Sequence, residues 1–160
     1  MTKPSHTALL LLAAALLQVP ALAAAQGAPS VAADLQMAQD ASPFRRTADA
    51  FVASALAGDA ARTQAMLSPA LVARSGEQAI RRALDTQILP FFARGKAPGK
   101  SVTVTRTTDA AGQQGFAFYM WLQGADTATQ RPFTVYVVEE EGRFTVANVV
   151  PDRLVEGRHR

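Results

Sequence analysis

Two spacings of hydrophobic residues follow one another along the chain, and the change between them falls near residue 100. Between Pro43 and Phe91 the apolar residues recur every three or four positions, which is typical of helices that bury one face. Between Ser101 and Val150 apolar and polar residues alternate, as they do in strands with one buried side. The segment 95–99 contains two glycines and a proline and separates the two patterns. The chain therefore predicts helices first and strands afterwards.

Three helices are predicted, over 43–57, 59–67 and 75–91. Ser42 and Pro43 are residue types favoured at the N-cap and at the first helical position, and Gly58 suits the position after the last turn. Asp59 is a good N-cap for the second helix. Ser75 begins the third helix, because its spacing from the following glutamine is that of a capping box.

Four strands are predicted, over 101–107, 115–122, 133–139 and 143–150. The three connections have hairpin lengths, so the sheet should be antiparallel. The more uniformly apolar face, which carries Val102, Phe118, Val135 and Val146, should meet the helices. We therefore expect an α+β domain of about three N-terminal helices packed on a bent antiparallel sheet of about four strands.

The first residues have the three parts of a secretory signal peptide. Lys3 supplies a charged head, 8–17 is an apolar run, and small residues allow cleavage after Ala25 or Ala23. The run is too short for a stable membrane span, which takes roughly 20 residues. We expect a periplasmic or secreted protein with no membrane span after cleavage. The predicted organisation is a signal peptide over 1–25, a flexible tether over 26–42, a domain over 43–152 and a basic tail over 153–160.

The composition excludes several kinds of site. The 160 residues are 49% hydrophobic and contain no cysteine, which rules out disulfides, thiolate metal sites and cysteine nucleophiles. The formal net charge of +3 is too small to argue for a nucleic-acid partner. Histidines and carboxylates do not cluster at metal-ligand spacing, so no metal or other cofactor is expected.

Three segments resemble parts of one fold family: 51–59 (FVASALAGD), 76–84 (GEQAIRRAL) and 140–149 (EEGRFTVANV). They are similar to the end of the first helix, the opening of a later helix and the last hairpin of the NTF2-like superfamily. That superfamily includes nuclear transport factor 2, ketosteroid isomerase and the polyketide cyclases. The resemblance extends over about Pro43 to Val150. It implies a cone-shaped fold with a pocket inside the cone, which in the family's enzymes holds a general acid or base.

Candidate catalytic residues are scarce. His159, the one histidine beyond the predicted signal peptide, is second from the end of the chain. Asp59 is expected as a helix cap and Asp109 as a turn residue. The run 139–141 of three glutamates is expected at a solvated hairpin tip. No catalytic or metal-binding residue is therefore assigned.

Two groups of residues are candidates for binding. The expected pocket wall consists of Phe51, Phe91, Phe118, Met120, Phe133 and Val135. The expected interface, on the opposite sheet face, consists of Tyr119, Trp121, Tyr136 and Val138, because aromatic residues are enriched in interface cores. Two alternatives stay open for the second group: scattered surface residues, or a pocket lining if the two faces are exchanged.

Three functional hypotheses follow. The first is an exported, non-enzymatic NTF2-like domain that binds a small apolar ligand or an envelope protein partner, and that forms a homodimer through the aromatic face. The second is an isomerase, dehydratase or cyclase whose pocket acid or base is not placed. The third is an interaction subunit of an envelope or secretion complex.

Overall fold

The structure, a computed structural model, describes residues 31–98, 103–124 and 130–151. Its helices are α1 (Val31–Leu56), α2 (Ala60–Ala65), α3 (Pro69–Ser75), α4 (Glu77–Ala83) and α5 (Leu89–Phe92), and a π-helical turn (Leu84–Ile88) joins α4 to α5. Its strands are β1 (Gly95–Pro98), β2 (Thr103–Thr108), β3 (Gln114–Gly124), β4 (Gln130–Glu140) and β5 (Arg143–Pro151). Helices pack against an antiparallel sheet, so the α+β prediction is confirmed.

The sheet is four strands wide although it contains five strand segments. β4 lies between β3 and β5, and all these pairs are antiparallel. β1 and β2 lie one after the other along the free edge of β3, β1 against 122–124 and β2 against 114–119. The prediction that 95–99 only breaks the chain is therefore wrong for β1. β1 pairs with the end of β3 through its backbone, and such pairing does not require polar and apolar side chains to alternate. The hydrophobic pattern of the sequence therefore gave no sign of this strand.

The buried face of the sheet is the predicted one. Phe118, Val135 and Val146 are fully buried on it, while Val102 lies outside the described residues. Phe51 of α1 and Phe92 of α5 complete the core from the helix side, both fully buried. Aromatic edges meet there, with the Phe92 and Phe133 ring centroids 5.1 Å apart. Most of the stabilising apolar burial is expected in this layer.

The first helix begins twelve residues before its predicted start, at Val31 instead of Pro43. Pro43 lies inside it and cannot donate the hydrogen bond that an internal position normally makes. Tertiary contacts on both sides of the proline offset this loss, because Ala41 and Ala48 are both buried in the core. The predicted flexible tether over 26–42 is thus helical from Val31 onward.

The later helices also differ in detail from the prediction. Ser75 is the last residue of α3 and not an N-cap; Gly76, with a φ of 83°, separates α3 from α4. Asp59 caps α2 as predicted, since its side chain accepts a hydrogen bond from the backbone N–H of Arg62 at 2.9 Å. Ser68 caps α3 in the same way through the N–H of Leu71.

Several predictions concern residues that the structure does not describe. The signal peptide over 1–25, the tail over 153–160 and His159 all lie outside the described ranges. Within those ranges, none of the helices combines the length and the apolar character that a membrane crossing needs.

Candidate functional site

A pocket of about 210 Å³, which we call the inner cavity, lies between the helices and the sheet and opens to solvent beside the exposed residues Gln87 and Asn148. α1, α4, the π-helical turn and β5 supply most of its wall. Every lining side chain is apolar or an uncharged amide: Phe51, Leu67, Leu71, Ile80, Ala83, Leu84, Gln87, Ile88, Asn148 and Val149. A cavity with this lining suits a small, largely apolar molecule with one group for an amide to hydrogen-bond.

The π-helical turn shapes one wall of the inner cavity. The backbone N–H of Leu89 bonds to the carbonyl of Leu84, five residues earlier, instead of to the usual residue four earlier. Pro90 follows directly and has no N–H of its own to donate. The wider turn brings Leu84, Gln87 and Ile88 to the cavity. Single π turns inside α-helices are frequently found at functional sites.

The six residues predicted as pocket wall have different positions in the structure. Phe51 lines the inner cavity. Four others are fully buried in the packed core between the sheet and the helices: Phe118, Met120, Phe133 and Val135. Phe91 is half-buried and packs edge-on against the rings of Phe92 and Phe133. The alternation in the strands identified buried positions, but it carried no information about where the packing leaves a space.

An outer cleft of about 220 Å³ lies on the other face of the sheet, between α3 and the hairpin that joins β2 to β3. Tyr136, Val138 and Ala147 line it from the sheet, and α3 contributes Leu71 and Arg74. Asp109 lines it from the hairpin, where its carboxylate accepts the backbone N–H groups of Ala111 and Gln113 at 2.8 Å each. The turn role predicted for Asp109 is confirmed.

Glu140 holds the first turn of α3 against the sheet. Its carboxylate accepts hydrogen bonds from the hydroxyl of Ser68 at 2.8 Å, the N–H of Ala70 at 3.0 Å and the hydroxyl of Thr145 at 3.3 Å. The residue is only 9% exposed. The prediction that all of 139–141 lies at a solvated tip is therefore wrong for Glu140. The start of α3 packs over this end of β4, so Ser68 and Ala70, together with Thr145 of β5, donate to the carboxylate in place of water.

A third cleft, of about 410 Å³, lies between α1 and the β4–β5 hairpin, and we call it the Asp40 cleft. Arg106 of β2 donates a hydrogen bond to Asp40 of α1 and stands 5.2 Å from the centroid of the Phe116 ring. Hydrogen bonds from Gln36 and Arg106 lower the pKa of Asp40 below its ordinary value. Because both groups of the ion pair remain accessible to water, the pair contributes little to stability.

The predicted interface residues share one face of the sheet, but they differ in exposure. Tyr119 and Trp121 are half-buried, with their ring centroids 5.5 Å apart in an edge-to-face arrangement. Tyr136 is half-buried and lines the outer cleft. Val138 is fully buried and is not available to a partner. The outer face is therefore divided between the outer cleft and a separate aromatic pair.

Among the described residues, no three histidine, aspartate or glutamate side chains are grouped so as to hold a metal ion. Comparison of the chain with protein-family models, with curated proteins and with solved structures found no match in any of the three.

Proposed function

We propose that the protein is an exported, non-enzymatic NTF2-like domain that binds a small, largely apolar ligand in the inner cavity. The observation that carries this proposal is the cavity between helices and sheet, with its apolar wall and amide rim. Its volume of about 210 Å³ is of the same order as the roughly 150 Å³ of a closed, engineered protein cavity that binds benzene, although this pocket is open on one side. The ligand would thus be a single ring or short branched chain somewhat larger than benzene.

The resemblance to the NTF2-like superfamily supports the same proposal. The three similar segments fall at the end of α1, in α4 and in the β4–β5 hairpin. Proton-transfer catalysis needs an acid or base within reach of the bound molecule. The wall offers the amides of Gln87 and Asn148 for orientation instead, which favours binding over the isomerase, dehydratase or cyclase alternative.

Filling the cavity should abolish binding. Toluene is a suitable probe, and we expect saturable shifts of the methyl NMR signals of Ile80 and Ile88 when it is added to the purified protein. Ala83 lines the cavity, so Ala83→Phe should remove these shifts, and Ala83→Leu should weaken binding by about tenfold because it occupies part of the space.

The matched control is Ala79→Phe, on the exposed side of the same helix. It should leave toluene binding unchanged, and the melting temperature would identify any variant that fails to fold. If the wild-type protein shows no saturable toluene shifts, or Ala83→Leu binds as well as the wild type, the cavity is not a ligand site.

A second candidate function is self-association through the aromatic pair. Tyr119 and Trp121 lie side by side, half-exposed, on a sheet face that the main helical layer does not cover. Aromatic side chains of this kind are enriched among the residues that dominate binding energy.

Replacing Trp121 should weaken such a dimer. We expect light scattering of the purified protein to give twice the chain mass. Trp121→Ala should raise the dissociation constant of the dimer by tenfold or more. Leu35→Ala, which removes an apolar side chain that is 60% exposed on α1, is the control and should leave the mass unchanged. A wild-type protein that stays monomeric at high concentration would eliminate this function without affecting the cavity proposal.

A further inference from the structure

The inner cavity and the outer cleft are neighbouring compartments. Leu71 of α3 and Asn148 of β5 line both of them. They meet at the β5 edge of the sheet, where Leu67 forms a single parallel bridge with Val146 just before α3 begins. The outer cleft therefore adjoins the inner cavity on that side.

The two compartments differ in chemistry. The wall of the inner cavity carries no ionisable side chain, whereas the outer cleft carries Arg74, Asp109 and the phenol of Tyr136. A molecule that extends across both would need an apolar body and a polar end. Ligand sites commonly combine an apolar wall with a few polar groups at fixed positions, and those polar groups set the orientation of the ligand.

The available charge of the outer cleft is positive. Asp109 already accepts two backbone N–H groups within its own hairpin. The side chain of Arg74, an exposed residue of α3, makes no hydrogen bond or ion pair with any residue in the described part of the chain. A guanidinium group offers paired donors that match a carboxylate, and the Tyr136 hydroxyl in the same cleft can donate a further hydrogen bond.

From these observations we infer that the ligand is an amphipathic carboxylate, with its apolar body in the inner cavity and its carboxylate beside Arg74 and Tyr136 in the outer cleft. This inference rests on the proposed function, because it requires the inner cavity to be occupied. Leu71 and Asn148, which line both compartments, would contact the ligand where it extends from one to the other.

The test compares two probes of nearly equal size, 3-phenylpropionate and 3-phenylpropanol, by calorimetric or NMR titration of the purified protein. The carboxylate should bind about two- to fivefold more tightly than the alcohol, an advantage typical of an exposed charge pair. The advantage should shrink as salt is added, because ions screen exposed charges.

Arg74→Gln should remove the preference for the carboxylate and leave the affinity for the alcohol unchanged. Arg82→Gln is the matched control: it removes the same charge from an exposed position on α4 and should preserve the preference. Tyr136→Phe should reduce the preference by a smaller factor, because only one hydrogen bond is lost.

The outcomes separate this inference from the proposal on which it rests. If toluene and both probes bind, but the wild type binds the alcohol as tightly as the carboxylate, the inferred carboxylate head group is wrong. The apolar binding site in the inner cavity then still stands. A preference that survives Arg74→Gln also overturns the inference. If toluene and both probes fail to bind, the proposed function itself is lost.

Discussion

Glu140→Ala is expected to lower the free energy of unfolding by about 2–4 kcal/mol, because it leaves buried donors without an acceptor. Ser68, Ala70 and Thr145 all donate to the Glu140 carboxylate. A shorter apolar side chain at this position would leave the two hydroxyls and the N–H to find water at a site that is 9% exposed. The first turn of α3 should then detach more easily from the sheet.

Urea unfolding of the purified variants measures this loss. Glu140→Gln should fall between wild type and Glu140→Ala, since the amide retains one acceptor oxygen. Glu139→Ala is the control, because the Glu139 side chain is exposed and makes no hydrogen bond or ion pair with the described residues. The effect of this substitution on the free energy of unfolding should stay within about 0.5 kcal/mol. Equal effects of Glu139→Ala and Glu140→Ala would contradict the role assigned to Glu140.

Gly115→Ala should destabilise the protein by about 3 kcal/mol or more, because the added methyl group meets backbone that has little room to move. A Cβ atom at this position would lie 2.1 Å from the carbonyl oxygen of Val137 and 2.9 Å from the Cα of Val138. Both atoms belong to β4, which is paired with β3 on one side and β5 on the other. No change of side-chain rotamer relieves such a contact, so the strands themselves must separate.

Gly112→Ala provides the comparison. Gly112 has a φ of 83°, and a Cβ there has open space around it. Its replacement should cost only the conformational penalty of a left-handed residue, about 1–2 kcal/mol. Thermal or urea unfolding of both variants distinguishes the two causes; a smaller loss for Gly115→Ala than for Gly112→Ala would show that β3 and β4 adjust to the methyl group.

The elements of the fold were predictable to the extent that they depend on local pattern. The alternation beyond residue 100 predicted β2 to β5 to within a few residues of their observed bounds, and it identified Phe118, Val135 and Val146 as the buried row. Asp59 and Asp109 were recognised as a cap and a turn residue, since both bond only to backbone a few residues away. These interactions lie within a short stretch of sequence, where residue type alone determines the favoured geometry.

The candidate site was much less predictable. Of the six residues expected in the pocket wall, only Phe51 lines the inner cavity, and no sequence pattern marked the amides of Gln87 and Asn148 as lining residues. A buried position and a position beside a cavity show the same hydrophobic pattern. What separates them is whether neighbouring elements fill the space, and this depends on the geometry of the π-helical turn and on the position of β5, which lines the same cavity.

The sequence by itself determined the order of helices and strands, the inward face of the sheet and the exclusion of cysteine chemistry. Only the tertiary structure decided that α1 starts at Val31, that Glu140 is buried and that Leu71 stands between two compartments. The physical reason is distance along the chain. Ser68 and Glu140 are 72 residues apart, and their hydrogen bond exists only because the whole domain folds around them.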